Sequence, residues 1–334
     1  MSSTSGVLVV GETQNGRLAP VTAELLGLAR SLARGLQEQV AVVLGAEKLS
    51  PEAAADAIAY GAETVYTVEH ALMEQSPVEA MLAVVERVVR EKTPTVVLVG
   101  KTLAGSDLGP GLAFRLGVGL AQDCIEVTLD SKEKGLVAVR PVYGGVAMAR
   151  VALKRMPYVA TVRPKAFDPP QRDTSRKGEV VALNPSLDAS VARVRVLERA
   201  SEESAGVRLE DARVVVGGGR GLGGPEPFQM LEELAKLLGG AVGASRAVCD
   251  AGWVPYHYQI GLTGKTIAPD LYITVAISGA SQHMAGCSGA RNIVAINKDR
   301  DSNIFKEARF GVVADWKKAL PAFAETVKEL VKSG

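Results

Sequence analysis

The first half of the chain alternates short apolar runs with longer stretches whose apolar residues recur at helical spacing. Residues 7–10 are apolar, the run stops at Gly11, and residues 21–36 then carry Leu and Ala with helical periodicity. The alternation continues, with strands predicted at residues 40–44, 64–68 and 95–99 and helices at 51–60 and 77–91. Strands that alternate with helices in this way indicate a parallel sheet covered on both faces.

The pattern changes between residues 123 and 164, where apolar runs follow one another without long helical stretches. These strand-like runs lie at residues 124–129, 135–141, 146–153 and 158–162. They either extend the first sheet or form an antiparallel layer. A further strand is predicted at residues 191–197, and the polar segment ERASEESAG that follows is typical of a linker. We therefore predict an N-terminal α/β domain over residues 1–205 and a C-terminal domain over residues 206–334.

The second half restarts the strand–helix alternation. A strand at residues 213–216 leads into a glycine loop at 217–224 and a helix at 225–238 with a stripe of Leu residues. Three more strands and a closing amphipathic helix are predicted, at residues 271–277, 293–296, 311–313 and 320–331. The strand at 271–277 is almost purely apolar, which indicates a central position in its sheet. The fold class is therefore α/β, with two domains that are each a mostly parallel sheet flanked by helices.

Composition narrows the function classes. Of the 334 residues, 47% are apolar, and 38 basic against 37 acidic residues leave a net charge of +1. This balance argues against a nucleic-acid face, and 4% aromatic residues argue against stacking platforms for single strands. The N-terminus shows no signal or transit peptide, and no apolar run approaches the ~18 residues of a membrane span. We expect a cytoplasmic protein without direct membrane insertion.

Cysteines and histidines are few and widely spaced. Cys124, Cys249 and Cys287 form no C-x-x-C pair, which argues against a disulfide framework or a cysteine-based metal site. The three histidines show no spacing typical of metal ligands. We therefore predict no metal site.

The glycine loop is the first candidate for chemistry. Gly219, Gly221 and Gly224 fit the pattern G-x-G-x-x-G between a strand and a helix, where backbone can approach a pyrophosphate. The dinucleotide pattern also requires an acid about 20 residues later, after the next strand. That region is Ala244-Ser245-Arg246, without a carboxylate, which weakens an NAD interpretation. A tight turn without a ligand stays open, although Arg220 suggests a fixed charge for an anionic or polar ligand.

A second loop, Ser278-Gly279-Ala280-Ser281-Gln282-His283, follows the most apolar strand and precedes a predicted helix. Strand, small-residue turn and helix in this order are typical of a phosphate site at the carboxyl edge of a sheet. His283 falls in the first turn of that helix and could equally be a buried structural histidine. Asn297 and Asp315 follow the next two strands, where open sheets bind ligands, but turn residues are also common there.

Several consecutive runs of the second half resemble the alpha subunits of electron transfer flavoproteins. From residue 213 onward the matching runs are SRAVCDAGW (245–253), QIGLTGK (259–265), LY (271–272), SGASQH (278–283) and IVAINKD (293–299). The resemblance implies a doubly wound FAD-binding fold in the C-terminal domain, FAD as cofactor and a heterodimer with a beta subunit. It also implies electron transfer from dehydrogenases to a quinone oxidoreductase or another acceptor, with no catalytic acid or base.

The resemblance implies roles for individual residues. The pyrophosphate and ribityl chain of FAD would lie against Ser278, Gly279, Ala280 and Gln282. His283 would face the pyrimidine end of the flavin and Arg246 its ring system, both stabilising negative charge and thereby raising the reduction potential. Thr263 would offer its hydroxyl near the reactive flavin nitrogen. The rest of the dinucleotide would contact Arg220, Ser245, Asn297 and Asp315, and the cofactor-binding turns would include Gly261, Leu262 and Ser281.

Some positions depart from the usual family pattern. Leu262 stands where the family commonly has Gln, and Ser281 where it commonly has an aliphatic residue. Cys287 and residues 288–290 look closer to the branch associated with nitrogen-fixation and carnitine pathways. Some members of that branch bifurcate electrons from NADH with a second FAD, so the resemblance allows a dehydrogenase or NADH as donor.

The sequence leaves two other functions open. One is an NAD(P)-dependent oxidoreductase that uses the loop Gly219–Gly224. The other is an adenine-nucleotide-binding module without enzymic activity, for which the compact α/β first half is the argument.

Overall fold

The computed structural model describes residues 6–14, 16–75, 77–130, 135–145, 147–198 and 207–333, which belong to two compact units. Unit 1 comprises residues 1–142 and 148–200, and unit 2 comprises residues 143–147 and 201–334. The predicted boundary at residue 205 lies outside the described residues, as does most of the predicted linker. Each unit contains its own sheet and its own apolar core.

Unit 1 contains a seven-stranded parallel sheet in the order β12-β5-β4-β1-β6-β11-β7. The strands of this unit are β1 (Gly6–Gly11), β2 (Thr13–Gln14), β3 (Arg17–Leu18), β4 (Gln39–Ala46), β5 (Thr64–Glu69), β6 (Val96–Gly100), β7 (Leu120–Cys124), β8 (Glu126–Asp130), β9 (Gly135–Val142), β10 (Ala147–Leu153), β11 (Tyr158–Val162) and β12 (Glu179–Ala182). The helices are α1 (Pro20–Leu36), α2 (Pro51–Ala59), α3 (Leu72–Gln75), α4 (Pro77–Lys92) and α5 (Leu103–Leu116).

Apolar side chains cover both faces of this sheet. In β1, Val7 and Val9 belong to a core cluster that includes Leu25 of α1, because successive side chains of a strand point to opposite faces. Leu8 belongs to a second cluster with Leu112 of α5 on the other face. The predicted alternation of strands and helices is therefore confirmed for this unit.

Both arrangements left open for residues 123–164 occur. Strands β7 and β11 join the parallel sheet, whereas β8, β9 and β10 form a separate three-stranded sheet in which β8 runs antiparallel to β9. The two-stranded ribbon of β2 and β3 is a small addition.

The prediction of a strand at residues 191–197 is wrong, because these residues form no strand. The edge strand of the sheet is β12 instead, which pairs with β5. The backbone N–H groups of Arg193 and Val194 donate to Oε2 of Glu79, at 2.6 and 2.9 Å, rather than to a neighbouring strand. The alternating Val and Arg residues of this segment imitate a half-buried strand, but Val194 is 68% exposed.

Unit 2 contains a six-stranded parallel sheet in the order β15-β14-β13-β16-β17-β18. Its strands are β13 (Val214–Gly218), β14 (Ala241–Ser245), β15 (Gln259–Ile260), β16 (Leu271–Val275), β17 (Ile293–Asn297) and β18 (Phe310–Val313). Its helices are α6 (Phe228–Leu237), α7 (Arg246–Asp250), α8 (Ser281–Cys287), α9 (Ile304–Glu307) and α10 (Trp316–Ser333).

The strand order places a ligand crevice in this sheet. The chain passes from β13 through β14 to β15 on one side and then crosses to β16 on the other side of β13. Open α/β sheets bind ligands at such a reversal, outside the carboxyl ends of the strands. One face buries Val216 and Ile273 with Leu231 of α6, and the other buries Val215 and Tyr272. The α/β fold class with parallel, helix-flanked sheets is confirmed.

Candidate functional site

The residues predicted to bind a cofactor lie at the carboxyl ends of the strands of unit 2. Each of the six strands of this unit ends at or just before one group of predicted residues. In the order β13 to β18, these groups are Arg220, Ser245–Arg246, Gly261–Thr263, Ser278–His283, Asn297 and Asp315. Because all neighbouring strands are parallel, these ends share one edge of the sheet. The structure therefore places all the predicted residues along one edge.

The glycine loop after β13 packs directly against the segment after β16. The backbone N–H of Gly219 donates to the carbonyl of Val275 at 2.9 Å. A Cβ on Gly219 would overlap the carbonyl of Ala276, and Ala276 itself has a φ of +56°, which is uncommon for a residue with a side chain. The glycine is required by close backbone approach, and the local backbone is strained at the reversal in strand order.

The loop Ser278–Gln282 is held from below by α9 and the segment before it. Gly279 has a φ of +75°, and a Cβ there would overlap the backbone nitrogen of Ile304. The carbonyl of Ser278 accepts hydrogen bonds from Oγ of Ser302 and from the backbone N–H of Ile304, both at 3.0 Å. Ser278, Ala280, Ser281 and Gln282 are exposed, so the loop offers small side chains and backbone groups to a ligand.

Asn297 fixes this loop from the end of β17. Its buried amide donates to the carbonyl of Ile277 at 2.9 Å and to Oγ of Ser302 at 3.2 Å, and its Oδ1 accepts from the backbone of Asp299. Both amide hydrogens therefore have acceptors within the protein. A direct contact of Asn297 with a cofactor remains a prediction.

The turn after β15 is tied to the loop after β16. Gly261 has a φ of +147°, and the backbone N–H of Leu262 donates to the carbonyl of Gln282 at 2.7 Å. Nε2 of the buried Gln259 donates to Oγ1 of Thr263 at 2.9 Å. Thr263 is exposed, so its hydroxyl is held by the buried Gln259 and lies on a residue that solvent or a ligand can reach.

Two arginines give the edge a positive character. The Arg246 side chain is 65% exposed, and its Nε lies 3.3 Å from Oδ2 of Asp250, whose other oxygen accepts from the Tyr256 hydroxyl. Arg220 is exposed, and no ion pair to it occurs within the described part of the chain. Asp315 is exposed and accepts the backbone N–H of Lys317 at the start of α10. Exposed guanidinium groups favour anionic ligands at this edge.

His283 is 7% exposed and lies under the loop. Its Nε2 is 2.9 Å from the hydroxyl of Tyr272, and its buried Nδ1 makes no hydrogen bond of regular geometry with the described residues. Burial lowers the pKa of His283 to about 4, and the backbone of Ile260 opposes this shift. The ring is therefore neutral near pH 7 in this structure.

Several residues that shape the site were given no role from the sequence. They are Gln259, Tyr272, Ala276 and Ser302. Each packs against, or is hydrogen-bonded to, a residue of the predicted loops. Gln259 and Tyr272 lie in runs that resemble the family, but their hydrogen bonds could not be predicted, because the partner of a polar group in a buried strand is known only from the fold.

The NAD interpretation gains no support from the geometry. Strand β14 ends at Ser245 and is followed by Arg246, so the position of the ribose-binding acid carries a cation. The carboxylate of Asp250 already contacts Arg246 and Tyr256. Among the described residues, no group of three His, Cys, Asp or Glu side chains is arranged to hold a metal ion. Within the same residues, no helix is both long and apolar enough to cross a membrane.

Comparison with known families agrees with the site. Residues 7–188 match the electron transfer flavoprotein domain, and residues 208–288 match the electron transfer flavoprotein FAD-binding domain. The electron transfer flavoprotein subunit alpha of Thermoanaerobacterium thermosaccharolyticum is 41% identical over 335 residues, covering 99% of this chain and 100% of that protein. The corresponding subunit of Megasphaera elsdenii is 41% identical over 327 residues, which is 97% of this chain and 96% of that protein.

A second group of relatives carries the name Protein FixB. The one from Clostridium saccharobutylicum is 38% identical over 334 residues and covers 98% of both chains. Both domain matches and full-length similarity to two groups of relatives point the same way. The chain belongs to the alpha subunits of electron transfer flavoproteins, and its second half contains their FAD-binding domain.

Proposed function

We propose that this chain holds FAD along the carboxyl edge of the unit 2 sheet and passes electrons between a donor and an acceptor protein. As an alpha subunit it pairs with a beta subunit and exchanges electrons with other redox proteins. The observation that carries the assignment of the site is the convergence of Arg220, Arg246, Thr263 and the Ser278–Gln282 loop on one edge.

The residues present fit FAD. A flavin dinucleotide needs room for its pyrophosphate, positive charge near it and a polar group near the ring. Gly219 and Gly279 stand where a Cβ would overlap neighbouring backbone, so the two loops can pack closely at the edge. Exposed arginines supply the charge, and the fixed Thr263 hydroxyl supplies a polar group. The buried Nδ1 of His283 is a further polar atom that the described protein leaves without a regular partner.

FAD, when bound, supplies the redox-active ring, and the protein contributes binding and electrostatics. We assign the pyrophosphate and ribityl chain to Ser278, Gly279, Ala280 and Gln282, with Gly261, Leu262 and Ser281 in the adjoining turns. Arg220, Ser245, Asn297 and Asp315 serve the rest of the dinucleotide, Asn297 by holding the loop in place. Arg246 contributes a positive charge that favours reduction of the ring system.

His283 acts in this proposal through hydrogen bonding rather than through charge. The lowered pKa keeps its ring neutral at physiological pH before any cofactor contributes. Arg246, which is exposed and permanently charged, is the group that stabilises negative charge. The resemblance gave both residues the role of stabilising negative charge. In this proposal that role belongs to Arg246, and His283 contributes a hydrogen bond.

The donor is a dehydrogenase in the simple case and NADH in the bifurcating case, and the acceptor is a quinone oxidoreductase or another redox protein. A location in the cytoplasm remains the prediction made from the sequence.

The test is to co-purify the chain with its beta-type partner, quantify FAD per heterodimer and add NADH under anaerobic conditions. One FAD that NADH alone does not reduce supports the simple carrier. Two FAD with rapid reduction by NADH support the bifurcating form. A folded pair that binds no FAD, even after incubation with excess FAD, would overturn the proposal.

A further inference from the structure

The side chains of Tyr272 and His283 form a hydrogen-bonded pair beneath the FAD edge. The Tyr272 hydroxyl lies 2.9 Å from Nε2 of His283, and the two rings lie 6.1 Å apart between centroids at an angle of 27°. Tyr272 is fully buried in β16 and His283 is 7% exposed in α8. The pair therefore joins the central strand to the loop and helix that follow it.

The bonding capacities of the two side chains determine the direction of this hydrogen bond. A phenol carries one hydrogen and needs an acceptor for it when buried. Within the described residues, Nε2 of His283 is the acceptor in reach of the Tyr272 hydroxyl. Burial raises the pKa of Tyr272 well above its usual value, so the hydroxyl keeps its hydrogen. Tyr272 therefore donates and Nε2 accepts.

This direction decides where the imidazole hydrogen sits. A neutral imidazole has one N–H and one acceptor nitrogen, and the partner of one nitrogen fixes the state of the other. With Nε2 accepting from Tyr272, the ring hydrogen is on Nδ1. In the described part of the chain, the ring contacts Tyr272 and the backbone of Ile260 and forms no ion pair.

The position of the Tyr272 hydroxyl is itself enforced by packing. A Cβ on Gly217 of β13 would overlap the hydroxyl and the ring edge of Tyr272, so the missing side chain at Gly217 leaves room for the phenol. Tyr272 is held in register between β13 and β17, opposite Val215 and Ile293. The ring orientation of His283 is thus set by rigid strands rather than by the exposed loop.

We propose that Tyr272 is a positioning residue of the FAD site, which holds His283 as a neutral ring with its hydrogen on Nδ1 and in one orientation. The part that concerns the tautomer stands on this chain alone. The consequence for FAD rests on the proposed function, because it requires His283 to lie beside the cofactor. There Nδ1–H is the one ring donor that the bond to Tyr272 leaves for the flavin, and the fixed tautomer keeps it in the same position in every molecule.

The test uses the full chain in complex with its beta-type partner, with ¹⁵N-labelled histidine in the alpha chain only. The chain has three histidines, so His70→Gln and His257→Gln identify the signals of His283 by elimination. We expect wild-type protein to show the Nδ1–H tautomer at pH 7. In Tyr272→Phe we expect that signal to shift to the other tautomer or to a mixture. Tyr258→Phe is the matched control, since Tyr258 neighbours His257 instead, with ring centroids 4.5 Å apart.

Flavin content and absorbance provide the second measurement. We expect Tyr272→Phe to bind FAD several-fold more weakly and to shift the visible flavin spectrum, while Tyr258→Phe changes neither. Wild-type protein with the Nε2–H tautomer, or an unchanged His283 signal in Tyr272→Phe, would overturn the proposal. A changed tautomer with unaltered FAD binding and spectrum would overturn its flavin part. The FAD content of the wild-type complex tests the proposed function by itself. A wild-type complex without FAD would therefore contradict the proposed function and leave the tautomer measurement valid.

Should Tyr272→Phe fail to fold, Gly217→Ala provides a second route. Its added methyl would push against the hydroxyl and the ring edge of Tyr272 without removing the hydroxyl. Gly35→Ala in α1 serves as the control, because a Cβ there makes an ordinary contact with Leu129 at 3.5 Å and the residue lies outside unit 2. The same change in the His283 signal is expected for Gly217→Ala alone. A wild-type signal in a folded Gly217→Ala protein would contradict the positioning role.

Discussion

Gln259 and Thr263 are joined by a hydrogen bond of 2.9 Å from the amide Nε2 to Oγ1, although Gln259 is 4% exposed and Thr263 is exposed. The bond fixes the hydroxyl at the turn after β15. A buried amide thus orients a group at the edge where FAD is proposed to bind. Gln259 thereby belongs to the proposed site through its bond to Thr263.

Gln259→Met should weaken FAD binding about fivefold, because losing one positioning hydrogen bond costs about 1 kcal/mol. Fluorescence titration of the flavin-stripped complex measures this. Thr263→Val removes the other partner and provides the control. In that background Gln259→Met should add little, since the bond is already lost. Fully additive losses would mean that Gln259 does not act through Thr263.

Asn297→Asp should lower the free energy of unfolding of unit 2 by about 2–3 kcal/mol. The ionised Asp cannot donate, so the carbonyl of Ile277 and the hydroxyl of Ser302 lose their partner in a buried place. Urea unfolding followed by tryptophan fluorescence reports this unit, since both tryptophans, Trp253 and Trp316, belong to it. Asn303→Ala is the control, because the Asn303 side chain makes no capping hydrogen bond at α9. Equal losses in both variants would contradict the assigned role of Asn297.

The sequence predicted most elements because burial leaves a periodic trace. The strand predicted at residues 7–10 is β1 (Gly6–Gly11), and the helix predicted at 21–36 is α1 (Pro20–Leu36). Helix α5 was not predicted, since it contains Pro110 and several glycines. A Cβ on its Gly109 would overlap the Thr161 side chain of β11. The helix therefore needs a glycine at this contact with the sheet, although glycine has a low helix propensity.

The part of the site that lies in loops after strands could be predicted from the sequence. Arg246 and the Ser278–His283 loop were recognisable as short runs, and the parallel sheet brings them to one edge. The run at residues 271–272 was recognisable too, but the role of Tyr272 was not, because its hydroxyl meets His283 only through the strand register and the helix that follows. Hydrogen bonds between side chains on different elements leave no periodic signal.

Gly279→Ala should destabilise unit 2 by at least about 3 kcal/mol and weaken FAD binding. The residue has a φ of +75°, and its Cβ would overlap the backbone nitrogen of Ile304, so strain and collision combine. Gly223→Ala separates the two causes. It has a φ of +89° but open space, so about 1 kcal/mol of strain is expected there. Comparable losses in the two variants, measured by urea unfolding, would show that the collision is relieved.

Arg246→Gln should lower the flavin reduction potential by on the order of 60 mV, which is about 1.4 kcal/mol for one electron. The positive charge beside the reduced ring is lost, whereas Arg246→Lys retains it and should shift the potential less. Spectroelectrochemical titration of the complex measures both. The partner Asp250 stays hydrogen-bonded to Tyr256, so the local fold should persist. An unchanged potential in Arg246→Gln would exclude the electrostatic role.

His283 should make unit 2 less stable as the pH falls from 6.5 to 4. Burial lowers the pKa of the native ring to about 4, whereas the unfolded chain keeps the usual 6.5. Between these values the unfolded state binds a proton that the native state does not, so stability rises with pH. The full effect is on the order of 3 kcal/mol.

His283→Gln removes this titrating group, so the difference in unfolding free energy between wild type and variant isolates it. Glu24, whose pKa burial raises to about 6, acts with the opposite sign in the same range but lies in unit 1 and is present in both proteins. Tryptophan fluorescence again restricts the measurement to unit 2. We expect the wild-type advantage to shrink steadily below pH 6.5. A difference that stays constant from pH 7 to pH 4 would mean that the His283 ring charges freely in the native state.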